Sequence, residues 1–160
     1  MRTIRTTEIT EQIKEMCIEA NYFLAPDMKQ AIEDAASAEE TKIGRHILGK
    51  LCENMKIAGD DGIPVCQDTG MAVIFMDIGQ DVHFEGGDLE SAINEGVRRV
   101  YREGFLRYSV VGDPLIREIT KYNTPAVIHY QIVPGDRGKI TVAPKGFGSE
   151  NMSRVCMLKP

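Results

Sequence analysis

The sequence has 160 residues, is 42% hydrophobic and 27% charged, and carries a formal net charge of -5. That balance describes one domain with a buried core and excludes a disordered chain. No apolar stretch nears the roughly 18 residues of a membrane span. Met1-Arg2-Thr3-Ile4-Arg5 has no apolar run behind it, which argues against a secretory signal. The largest basic cluster, Arg98-Arg99 with Arg102, reads as a solvated helix face, so nucleic acid is not an expected partner.

The first third predicts helices. Ile9, Ile13, Met16, Cys17 and Ala20 recur at three- and four-residue steps and make one apolar stripe. Pro26-Asp27 breaks the pattern. Asp27 is the expected cap of a second helix, with Met28, Ile32 and Ala35 turned inward. A third helix carries Ile43, Ile47, Leu48, Leu51 and Met55 and stops near Gly59, before the turn cluster Asp60-Asp61-Gly62. His46, close to that stripe, reads as a packed or half-exposed residue.

The middle changes period. Met71-Ala72-Val73-Ile74-Phe75-Met76 predicts a buried strand. Asp88 then caps a helix striped by Leu89, Ile93, Val97, Val100 and Tyr101. Leu106 to Ser109 falls in a connecting stretch. Ala126 to Val133 and Lys139 to Val142 predict two strands, and Pro134-Gly135-Asp136-Arg137-Gly138 between them reads as the turn of a hairpin. His129, inside the first strand, is read as structural. The expected fold class is α+β (mixed α/β): N-terminal helices, then a small mixed sheet with flanking helices, in a single domain over 1–160.

Three stretches carry candidate chemistry. In Ile63-Pro64-Val65-Cys66-Gln67-Asp68-Thr69-Gly70, a thiol sits beside an amide and a carboxylate on a loop bounded by proline and glycine. Cys66 admits three readings: a metal ligand, a nucleophile or a structural residue. A carboxylate next to a bare thiol opposes thiolate formation, which weighs against the nucleophile. In Lys145-Gly146-Phe147-Gly148-Ser149-Glu150-Asn151, two glycines one residue apart let backbone N–H groups converge on a carboxylate or phosphate, with Ser149 and Asn151 adding hydrogen bonds; the plain alternative is a turn at a strand end. Arg107 is either a two-pronged carboxylate ligand or half of a surface ion pair. Cys17, Cys52 and Cys156 lie in apolar or helical surroundings and read as core residues. No C-x-x-C pair supports a zinc ribbon, and the cysteine usage suits a reducing cytoplasm.

These stretches together resemble the class I, iron–sulfur fumarate hydratases and L-tartrate dehydratases. The residues that carry the resemblance are Ile63 to Gly70, Leu106-Arg107-Tyr108-Ser109 and Pro144 to Ser153. Phe147 departs from the pattern, since a third glycine is common there. The resemblance implies that Cys66 is one of three cysteines holding a 4Fe–4S cluster whose fourth iron acts as a Lewis acid. It implies that Gln67, Asp68, Arg107, Gly146 and Gly148 bind a small dicarboxylate, with Asp68 handling a proton near the hydroxyl. The reaction implied is reversible addition of water across the double bond of a four-carbon diacid.

The resemblance further implies that this chain corresponds to the first part of an alpha subunit or catalytic domain. The expected partners are the remainder of that subunit and a beta subunit or C-terminal domain, in a homo-oligomer. Neither Cys17, Cys52 nor Cys156 matches a second cluster ligand, so the chain alone is expected to hold no stable cluster and to be inactive. Two other readings stand beside this one: a non-catalytic dicarboxylate-binding or subunit-assembly domain, and an enzyme that uses Cys66 as nucleophile.

Overall fold

The computed structural model describes residues 1–148 and 155–158 of the chain. Strand β1 spans Arg2–Arg5, followed by helices α1 (Thr6–Tyr22), α2 (Pro26–Ala38) and α3 (Lys42–Asp61). Strands β2 (Met71–Gly79) and β3 (Val82–Glu85) precede α4 (Leu89–Glu103), and β4 (Val127–Val133) and β5 (Gly138–Lys145) complete the described elements. The class is α+β, as the pattern predicts.

The core forms where α1 and α4 cover one face of a three-stranded sheet. Along β2, Ala72, Ile74 and Met76 point to the helices and are buried, in the alternation a half-buried strand imposes. Ile9, Ile13 and Cys17 of α1 meet Ile93, Val97, Val100 and Tyr101 of α4 over that face. The Thr10 hydroxyl joins the two helices by donating to the Ala92 carbonyl at 2.9 Å. Asp88 caps α4 as expected, accepting from the Ser91 N–H at 2.7 Å, and its carboxyl is held below the usual range mainly by that bond.

The hairpin is a correction. β4 and β5 do not pair with each other; β2 lies between them, parallel to β4 (Val73 opposite Val127) and antiparallel to β5 (Ile74 opposite Val142). The turn-rich segment serves a different purpose. It crosses the end of β2, where the Val133 and Gly135 carbonyls accept from the N–H groups of Gln80 and Asp81 at 2.8 and 2.9 Å. An apolar strand buried on one face still needs hydrogen-bond partners along both edges, and the middle position supplies them. A second pairing escapes the hydrophobic pattern: β1 runs parallel to β3, with Arg2 opposite Val82 and Arg5 opposite Glu85.

The α2–α3 hairpin differs from expectation too. Pro26 takes the first helical position, where its missing N–H costs nothing, so α2 starts two residues early and Asp27 is inside the first turn instead of capping it. Met28 and Ala35 are exposed and Ile32 is half-buried. On α3, Ile43, Ile47 and Leu51 face outward, 75%, 54% and 45% exposed, and Ala58 is the helix's one buried residue. The two helices pack on each other, with few contacts to the sheet layer. His46 is exposed. No helix among the described residues is long and apolar enough to cross a membrane.

Candidate active site

The loop that carries Cys66 is shaped by where α3 stops. Gly62 adopts a left-handed conformation, and the Ile63 N–H closes back on the Ala58 carbonyl at 3.1 Å. Pro64 then prevents the helix from continuing. Val65 is strapped on both sides: its N–H donates to the Asn21 carbonyl at 2.9 Å, and its carbonyl accepts from the Asn54 side chain at 2.8 Å. Cys66 and Gln67 are left exposed beyond this strap. The Asp68 N–H points at the Cys66 sulfur at 3.4 Å.

Thr69 and Gly70 anchor the far end. Thr69 is buried; its Oγ1 accepts from the Arg107 N–H at 2.9 Å and donates to the Arg107 carbonyl at 3.3 Å. The Tyr101 hydroxyl donates to the Thr69 or Gly70 carbonyl at 3.1 and 3.2 Å, and burial pushes its phenol pKa up, so the group stays a donor. Asn123, wholly buried, donates through Nδ2 to the Gly70 carbonyl at 2.8 Å; its Oδ1 accepts from the N–H groups of Ser109 and Val110 at 2.6 and 2.9 Å. Asn123 was not singled out from the sequence. Its one signal there is its place in the polar cluster before Pro125, which resembles many loops.

The antiparallel pairing of β2 with β5 sets Met71 opposite Lys145 and so brings the glycine-rich turn against the Cys66 loop. There the Asp68 carboxylate enters the turn. Oδ2 accepts from the Phe147 N–H at 2.9 Å and from the Gly148 N–H at 2.6 Å. The Lys145 ammonium donates to the Gly146 carbonyl at 2.6 Å. Ser149 and Asn151, expected to extend this anion site, lie outside the described residues.

The fold thus gathers Cys66, Gln67, Asp68, the backbone of Arg107 and the 146–148 turn on one wall. The Arg107 side chain is exposed and forms no ion pair with a carboxylate among the described residues. The cavity of about 450 Å³ beside α2 and α3, lined by Phe23, Lys29, Glu33, Cys52 and Lys56 among others, includes none of these residues.

Of the other cysteines, Cys17 is in the core, Cys52 is half-buried and Cys156 is exposed, so the core reading fails for Cys156. Burial pushes the Cys17 thiol up to about 12. Iodoacetamide at mildly alkaline pH is expected to modify Cys66 in the native chain at least about a hundredfold faster than Cys17. Peptide mapping after a time course checks this; equal labelling of both would contradict the buried position of α1.

Iron–sulfur chemistry makes a definite demand on such a wall. No group of three or more His, Cys, Asp or Glu residues among the described residues is able to hold a metal ion. Cys66 nevertheless fits as one ligand: its sulfur is exposed, carries an N–H contact and sits on a strapped loop. Among the described residues no other cysteine joins it in a group able to hold a metal ion.

An exposed thiol, a carboxylate held by backbone N–H groups and the backbone of Arg107 meet on one wall of an α+β domain, and these residue types are ones that the class of metal-assisted sites for anions employs. Comparison with known proteins sharpens that class. The family described as fumarate hydratase (Fumerase) matches residues 10–160, and the chain belongs to this family. It is 36% identical over 159 residues to a Methanocaldococcus jannaschii protein named "Putative L(+)-tartrate dehydratase subunit alpha", covering 96% of this chain and 55% of that protein. It is 35% identical over 136 residues to the aerobic class I fumarate hydratase of Escherichia coli, covering 83% of this chain and 25% of that enzyme. To the alpha subunit of an Escherichia coli L(+)-tartrate dehydratase it is 27% identical over 158 residues, covering 96% and 51%. The chain therefore spans about half the length of the tartrate dehydratase subunits it matches, and a quarter of the fumarate hydratase.

Proposed function

We propose that the chain contributes one wall of the active site of an iron–sulfur hydro-lyase, acting reversibly on fumarate and malate or on tartrate and oxaloacetate. The family and the names of its members support the reaction class. The observation that carries the reading is the locking of the Cys66–Gly70 loop to both other motifs, through Thr69 to Arg107 and through Asp68 to the 146–148 turn.

Cys66 would hold one iron of a 4Fe–4S cluster. When bound, the cluster would supply Lewis-acid chemistry. Arg107 takes one substrate carboxylate in a two-pronged contact, and Gln67 hydrogen-bonds the diacid beside it. Asp68 receives or returns the proton at the hydroxyl. The group that removes the carbon-bound proton, like the remaining thiolates, comes from another part of the enzyme. That part is the remainder of an alpha subunit with a beta subunit or C-terminal domain. The assembly is a cytoplasmic homo-oligomer, and the chain forms a single domain within it.

The test is anaerobic reconstitution with iron and sulfide after co-production with the complementary polypeptide. Wild type is expected to assemble a cluster and hydrate fumarate or dehydrate tartrate. Cys66→Ser is expected to lose the cluster, and Arg107→Ala to raise KM about a hundredfold, the loss of a charge-assisted two-pronged contact. An assembled cluster without turnover of any four-carbon diacid would sink the reading. Diacid binding with neither cluster nor turnover would favour a dicarboxylate-binding domain.

A further inference from the structure

We propose that Thr69 is the positioning residue for Arg107: its buried hydroxyl fixes the stretch of backbone from which the guanidinium reaches the substrate. That role rests on the reading of Arg107 as a carboxylate ligand and adds what aims it. The Arg107 side chain is exposed and forms no ion pair among the described residues. A long side chain without such a partner is aimed only as well as its backbone is held.

That backbone is held with unusual completeness. Thr69 is 3% exposed, and its one hydroxyl serves both polar groups of residue 107, accepting from the N–H at 2.9 Å and donating to the carbonyl at 3.3 Å. A hydroxyl gives and takes at once, and a methyl of the same shape does neither. Two residues on, Asn123 Oδ1 accepts from the N–H groups of Ser109 and Val110 while Nδ2 donates to the Gly70 carbonyl. Both grips on the 107–110 stretch therefore trace back to residues 69–70, the end of the loop that presents Cys66. On the other side Leu106 is sunk in the core. Phe105 before it has a φ of +53° with its ring 83% exposed, a strained turn kept without burial of the ring in return. Between Leu106 and Ser109, Thr69 is the contact that sets residue 107 against the Cys66 loop. A slip of about 1 Å at that root takes a guanidinium out of two-pronged register with a carboxylate.

The test is made on the reconstituted holoenzyme and on the isotopically labelled chain. Thr69→Val is expected to raise KM for the diacid about tenfold while kcat falls less than about threefold, with the cluster's visible absorption unchanged. Thr69→Ser, which keeps the hydroxyl, should return KM to within about twofold of wild type. In an Arg107→Ala background, Thr69→Val should add less than about twofold, because the hydroxyl acts through the arginine. An unchanged KM in Thr69→Val, or the same tenfold rise without the arginine, overturns the proposal. In the wild-type chain the Arg107 amide should exchange with solvent at least about tenfold more slowly than an unstructured amide, and free exchange there overturns it however the variants fold. A protected amide in an assembly that turns over no four-carbon diacid would support the clamp and sink the hydro-lyase reading alone.

Discussion

Replacing Gly70 by alanine is expected to destabilise the chain by about 4 kcal/mol, among the largest effects of any single methyl group here. Two costs combine. Gly70 has a φ of +56°, which charges an L residue about 1 kcal/mol. The added Cβ would also overlap the carbonyl oxygen and carbon of Lys145, which are backbone atoms of β5 and have no rotamer to yield. Relief requires β5 to part from the start of β2, which separates the Cys66 loop from the 146–148 turn. Gly62→Ala is the matched control. Its φ is +63°, with nothing within 4 Å of the new methyl, so about 1 kcal/mol is expected there. Urea titration of both variants isolates the overlap. If Gly70→Ala costs no more than Gly62→Ala, the close approach of loop and strand is wrong.

Asn123→Leu is expected to cost about 3–5 kcal/mol. Leucine is of similar size, so the loss is chiefly polar. The part-buried N–H groups of Ser109 and Val110 lose their acceptor, and the buried Gly70 carbonyl is left with the Tyr101 hydroxyl. Each buried orphan costs about 1–3 kcal/mol. Asn123→Asp keeps an acceptor for the two N–H groups but sets a second carboxylate oxygen toward the Gly70 carbonyl, so it too should destabilise. The local signature separates this from general loosening: Ser109 and Val110 amides should lose protection from exchange before those of α1 do. A leucine variant as stable as wild type would show that Asn123 is no link between the Cys66 loop and the Arg107 segment.

Much of this was legible in the residues and some was not, for reasons that differ by element. The stripes of α1 and α4 are local periodicities and supply much of the core, whereas the apolar run of β2 is buried at Ala72, Ile74 and Met76 and leaves Phe75 exposed. The Asp88 cap is legible because its bond spans three residues. The placing of β2 between β4 and β5 is not, because Val73 and Val127 meet only through the fold; a turn-rich segment is equally suited to reverse a chain or to cross over a strand. The apolar residues of α3 have a helical period, yet periodicity names a face and not its cover, and Ile43 and Ile47 are exposed. In the candidate site, Cys66, Asp68 and the glycines were visible as residue types. That the acid fills the turn was not, because Asp68 and Gly148 meet only when β2 and β5 align. Asn123 escaped notice because its three hydrogen bonds reach to distant backbone.

The central position of β2 also sets an order of events. The strand leaves the ribosome well before its neighbours do: Val73 waits for Val127 and Ile74 for Val142. Until β4 emerges, Ala72, Ile74 and Met76 have helices to lie against but neither neighbouring strand, and an unpaired apolar strand is what templates aggregation. Long-range pairing of this kind slows folding relative to helix formation. Nascent chains cut just before Val127 should consequently be the most chaperone-dependent of a truncation series, although they already contain α1 to α4.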